Sequence, residues 1–106
     1  MTPEQFRKLA LEIPGAVEAE HMGHPDFRIN GKIFASLGYP DDAHAMVGLS
    51  PEQQAALLKK EPDAFEPCAG MWGKRGATNV HLRSAKMSVI RETLKAAALK
   101  RSAVRR

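Results

Sequence analysis

The sequence predicts an α+β domain in which helices flank an antiparallel sheet, in the order α-β-β-β-α-(β)-β-α. Three observations predict it. Asn30-Gly31 separates two short apolar runs. An Asn-Gly pair favours a type I′ turn, whose two central residues take positive φ and whose twist matches paired strands. Thr2-Pro3-Glu4-Gln5 and Ser50-Pro51-Glu52-Gln53 repeat one helix-start pattern. The hydroxyl accepts from the third residue's N–H, the Gln reaches back to the cap, and Pro suits the first helical position. The segments between these helix starts are short and alternate in polarity, as strands do.

The first helix spans about Pro3 to Glu12, with Phe6, Leu9, Ala10 and Ile13 on one face, and Pro14-Gly15 stops it. Val17 to Met22 alternates, setting Val17, Ala19 and His21 against Glu18, Glu20 and Met22. The hairpin strands are about Asp26–Ile29 and Lys32–Leu37. Around a two-residue turn, Ile29 faces Lys32, Arg28 faces Ile33 and Phe27 faces Phe34. That register puts Phe27, Ile29 and Phe34 on one face and Ile33, Ala35 and Leu37 on the other. Both faces are apolar, so a bulge or a partner must resolve which is core.

Tyr39-Pro40-Asp41-Asp42 reads as a turn and His44–Leu49 as a further strand. A second helix runs from Pro51 to Lys60, with Ala55, Leu57 and Leu58 as its apolar content, and Pro62 ends it. Thr78–Arg83 is the last strand, with Val80 and Leu82 opposite Asn79, His81 and Arg83. The final helix covers about Ala85 to Ala98, striped by Met87, Ile90, Leu94, Ala97 and Ala98. Residues 1–101 form a single domain, and the basic tail 102–106 has nothing to pack against and is expected to fray.

Composition bounds the function. The chain has 106 residues, 43% hydrophobic, enough for one modest core. Its lone cysteine, Cys68, excludes an intrachain disulfide and a multi-thiolate zinc site. The surroundings of Cys68 offer no base, so a half-buried structural thiol is expected. No apolar run spans a membrane, and the first residues lack the pattern of a signal peptide. A cytoplasmic protein is expected, with a monomer slightly favoured. No nucleotide-binding loop or nucleophile elbow is present, so neither cofactor nor enzymatic activity is expected.

Charge is divided along the chain. Residues 1–66 hold six Lys/Arg and eleven Asp/Glu, a net of −5, whereas residues 67–106 hold ten Lys/Arg and only Glu92, a net of +9. A basic segment is the footprint of a polyanion binder if it forms one face, and an ordinary solvated helix end if it does not.

The order and spacing of several motifs resemble the MmcQ/YjbR family. They run from Gly23-His24-Pro25-x-Phe27-Arg28 through Gly31-Lys32-x-Phe34-Ala35 to Leu49-Ser50-Pro51-Glu52. Glu61-Pro62, Phe65 and Trp72-Gly73-x-x-Gly76-x-Thr78-x-Val80-x-Leu82 follow, so the resemblance covers nearly the whole chain. Ala77 stands where the family typically has a bulky aromatic. The resemblance implies a two-layer fold, secretion-chaperone-like or CyaY-like, with an antiparallel sheet under helices. Members are usually described as DNA-binding, sometimes through a double-wing motif.

The candidate nucleic-acid contacts are Trp72, Lys74, Arg75, Arg83, Lys86 and Arg91. Trp72-Gly73-Lys74-Arg75-Gly76 reads as a glycine-rich loop able to approach a partner closely, with cations for phosphates and an indole for stacking. Asn79, His81 and Arg83 would extend that surface along a strand. A protein-interaction or small-ligand module is the alternative, favoured by the two-faced apolar hairpin. His21, His24, His44 and His81 have no spacing that makes them converge, so no metal site is predicted. His24, ahead of Pro25, is expected to hydrogen-bond and hold the turn into the hairpin.

Overall fold

A computed structural model describes residues 1–102 of the chain. The elements are α1 (Pro3–Leu11), β1 (Val17–His21), β2 (His24–Ile29), β3 (Lys32–Leu37), β4 (His44–Gly48), α2 (Pro51–Lys60), β5 (Phe65–Pro67), α3 (Gly70–Lys74), β6 (Ala77–His81), a 3-10 turn (Leu82–Ser84) and α4 (Met87–Ser102). The α+β expectation holds: helices pack on a six-stranded sheet of order β1-β2-β3-β4-β6-β5, antiparallel throughout. Four strands precede α2, one more than the predicted order counts, and the parenthesised strand is β5. Ser102 ends α4 rather than fraying, and the rest of the predicted tail lies outside the described residues.

Both helix-start patterns form complete capping boxes. Thr2 and Ser50 accept from the N–H of Gln5 and Gln53, whose side chains accept from the cap N–H groups. The Asn30-Gly31 turn forms as predicted, with φ of 53° and 76°, and Met22-Gly23 makes a second such turn with φ of 52° and 81°. The turn into β2 is therefore set by backbone conformation. His24 opens β2 and rests edge-on against Tyr39, ring centroids 5.9 Å apart.

One predicted pairing is wrong, and a bulge explains it. Ile29–Lys32 and Arg28–Ile33 pair as expected, but Phe27 pairs with Ala35 because the register shifts between Phe27 and Arg28. The shift leaves Phe34 as the extra residue, so Phe34, Ala35 and Leu37 are all buried, a set that strict alternation would divide between faces. Ile33 stays half-buried.

The core lies between this sheet face and the helices. Phe6, Phe27, Phe34 and Phe65 are fully buried with Val47, Val80, Ile90 and Leu94, each worth about 1.5–3 kcal/mol of transfer free energy. α4 packs on β2, β3 and β4 and against α1, α2 packs on β5, and α3 on β6. The residue that α2 buries is Gln54; Ala55 is exposed and Leu57 and Leu58 are half-buried. Among the described residues, no helix is long and apolar enough to cross a membrane.

The outer face of the sheet is mostly polar, its cross-strand partners running Asp26, Ser36, Met46, Asn79 and Glu66. Asp26 is fully buried there. Arg28 donates to it through Nε (2.7 Å) and a terminal nitrogen (3.0 Å), and His21 Nδ1 lies 2.8 Å away. The Arg28 hydrogen bonds outweigh burial and hold the Asp26 carboxyl below its ordinary pKa. A depressed folded-state pKa stabilises the protein above the unfolded value, and that stability is lost as pH falls through the folded one. Unfolding free energy is therefore expected to drop in acid below about pH 4, and Asp26→Asn to flatten that drop. Identical acid limbs in urea titrations of both proteins would contradict this.

Candidate functional site

The segment read as a glycine-rich loop is the helix α3, capped by Arg75. Its glycines approach the chain's own backbone, not a partner. A Cβ on Gly73 would stand 1.7 Å from the Cys68 carbonyl oxygen, and one on Gly76, at φ +113°, 1.9 Å from that of Leu49. Gln54 fastens the same region from α2. Its Nε2 lies 3.0 Å from the Gly73 carbonyl oxygen, 3.1 Å from that of Ala77 and 3.1 Å from Thr78 Oγ1. Ala77, at the family's aromatic position, begins β6 and is half-buried.

This anchoring presents four side chains to solvent. Trp72 is 70% exposed and Met71 56%, and Lys74 and Arg75 are exposed too. Trp72 and Arg75 are three residues apart, neighbours on a helical surface. Among the described residues, neither Lys74 nor Arg75 has a carboxylate within ion-pair distance.

The remaining candidates do not join this cluster. β6 ends at His81, and the 3-10 turn takes Arg83 out of the Asn79–His81 row. Arg83 lies in a cleft with Ala43, Asp63, His81 and Ser84. Five strand residues separate it from α3, about 16 Å. Lys86 Nζ is 3.6 Å from Glu61 and Arg91 Nε 3.9 Å from Glu12. Lys95 faces Glu92 at 3.4 Å. Lys100 donates to the Leu49 carbonyl and Arg101 to that of Ile33, while burial lowers the Lys100 pKa. Of the earlier cations, Arg28 is spent on Asp26.

Cys68 is half-buried and its Sγ lies 3.3 Å from Asn79 Oδ1. Burial first, and then the charge of Glu66, raise its pKa and keep the thiol protonated. That environment is the opposite of an activated nucleophile's.

Two features escaped sequence reading. Gln54, the fastening for α3, carries no sequence mark beyond one polar residue in a short amphipathic helix. The sheet register also brings His44 of β4 opposite His81 of β6, with ring centroids 4.7 Å apart. Their separation along the chain hides that pairing.

A family model described as YjbR matches residues 11–98. No curated protein matches the chain. Among solved structures, the chain is similar to a crystal structure of a Deinococcus radiodurans protein with a DUF419 domain, at 17% identity and a TM-score of 0.75, covering 91% of this chain and 75% of that one. At that identity the likeness speaks for the fold.

Proposed function

From the premise that this chain belongs to the YjbR family, whose model spans residues 11–98, we propose that it is a nucleic-acid-binding protein rather than an enzyme, and that α3 is its contact element. Trp72 stacks on an unpaired base, and Lys74 and Arg75 neutralise adjacent phosphates. The observation that carries this reading is the largely exposed Trp72 beside two cations that have no acidic partner among the described residues, on a helix anchored by buried Gly73 and Gln54. The acid partners of Lys86 and Arg91 argue against a broad basic face and for a small footprint. Stacking on such a footprint favours single strands over duplex.

Trp72 is the only tryptophan in the chain, so its fluorescence reports on this site alone. Single-stranded DNA is expected to quench it at about 50 mM salt. With two phosphates neutralised, by Lys74 and Arg75, affinity should fall roughly sevenfold by about 200 mM salt. Lys74→Ala with Arg75→Ala should weaken binding and flatten that dependence. Absence of quenching by single strands at low salt rejects the proposal, as does quenching indifferent to salt.

A second reading, a module that binds a protein or small ligand, is favoured by one other feature. A groove between α1, the Asn30 turn and α4 is lined by Leu9, Ile13, Ile29 and Leu99, the last 71% exposed. Persistence of partner binding after both α3 cations are removed would favour it.

A further inference from the structure

The sheet assembles a donor set on its outer face that the chain order conceals. His44 and His81 are cross-strand partners on β4 and β6, so their side chains share a face. Glu66 of the neighbouring strand β5 places Oε1 2.6 Å from His81 Nε2. One ligating atom from each of His44, Glu66 and His81 falls within 4.8 Å of the others. Three different strands supply these atoms, so the set is held by the ladder hydrogen bonds and not by a flexible loop.

A fourth residue orients the first histidine. Asp41 Oδ1 lies 2.7 Å from His44 Nδ1 and also accepts the Ala43 N–H at 2.9 Å. A carboxylate on Nδ1 fixes the proton there and leaves the Nε2 lone pair of His44 free. This is the outer-sphere arrangement that metal-ligating histidines use.

We infer that His44, His81 and Glu66 form a binding site for a borderline divalent transition-metal ion of the Zn²⁺ class, with Asp41 as the orienting carboxylate. Two imidazoles and one carboxylate match the donor sets of zinc centres that keep a further position open. Imidazole donors select against Mg²⁺ and Ca²⁺, which take oxygen ligands. The side chains of His44, His81 and Glu66 are 17%, 35% and 54% exposed, which gives an ion an entry path and leaves a coordination position facing solvent. Bonds of about 2 Å require donor separations near 3.3 Å; His81 Nε2 and Glu66 Oε1, 2.6 Å apart, must open to that distance to admit an ion between them, and both side chains are exposed enough to do so by rotation.

The test is a Co²⁺ titration of the untagged full chain in chelator-treated buffer, followed by visible absorption and then by Zn²⁺ displacement. One Co²⁺ per chain is expected, released by Zn²⁺. His44→Gln and His81→Gln should each weaken binding about 100-fold or more, and Asp41→Asn about 10–100-fold. His24→Gln, outside the donor set, should leave binding unchanged. Glu66→Gln alters an exposed side chain and tests the site even where a histidine variant fails to fold, as judged by circular dichroism. Absence of saturable one-to-one Co²⁺ binding would overturn the inference, and so would equal binding by the folded Glu66→Gln, Asp41→Asn and histidine variants. The assay contains no nucleic acid, so its outcome is separate from that of the α3 proposal.

Discussion

Gly76→Ala is expected to cost about 3 kcal/mol or more of unfolding free energy. Two penalties act together. The position has φ +113°, and a Cβ there would stand 1.9 Å from the Leu49 carbonyl oxygen and 2.7 Å from its carbon. The obstruction is backbone, so no side chain can rotate away. Placing an L-residue at positive φ costs about 1–2 kcal/mol, and overpacking a tight site adds about 1–3 kcal/mol. Gly31→Ala separates the two contributions, because Gly31 has φ +76° but nothing within 4 Å of its Cβ position. That variant should lose only the conformational part. Urea denaturation of both proteins checks the difference; equal losses would show that the approach to Leu49 is not what position 76 demands. The Leu49 N–H also donates to the Gly76 carbonyl oxygen at 3.2 Å, so forcing these two segments apart would break a backbone bond as well.

Gln54→Met should cost about 1–3 kcal/mol, although it preserves side-chain size and helix propensity. The Gln54 side chain is the buried donor for the Gly73 and Ala77 carbonyls and Thr78 Oγ1. Methionine fills the volume but removes the two amide N–H groups; the Gly73 and Ala77 carbonyls keep the N–H groups of Gly76 and Cys68, so the loss is that of the hydrogen bonds themselves, about 0.5–1.5 kcal/mol each. The bonds tie α2 to both ends of the α3 segment, so the variant should also free Trp72. A more depolarised Trp72 emission, together with the stability loss, is the expected pair of readouts. Loss of stability with Trp72 anisotropy unchanged would show that α3 is held in place by Gly73 and Gly76 without Gln54.

The elements that were legible in the sequence are those built by contacts within a few residues. Both capping boxes, the Asn30-Gly31 turn and α2 form as read, because a hydroxyl, a Gln or a positive-φ pair acts on its own backbone neighbourhood. α3 was not legible. Glycine disfavours helix, and only the approach of Cys68 and Leu49 explains why Gly73 and Gly76 stand there. The candidate site divides in the same way. Trp72, Lys74 and Arg75 are local and remain together, whereas Arg83, Lys86 and Arg91 were grouped by charge and are separated by the fold.

The sequence by itself therefore determined the fold class, the helix starts, the hairpin and the family resemblance that the match over residues 11–98 supports. Tertiary structure alone decided which apolar face became core, through the shift between Phe27 and Arg28. It also decided which cations pair with acids, since Lys86 meets Glu61 and Arg91 meets Glu12 only after folding. The same is true of the meeting of His44, His81 and Glu66. The physical reason is one of range. Caps and turns are governed by dihedral preferences and hydrogen bonds within one turn of chain, whereas strand register and ion pairing depend on burial shared among residues far apart in sequence.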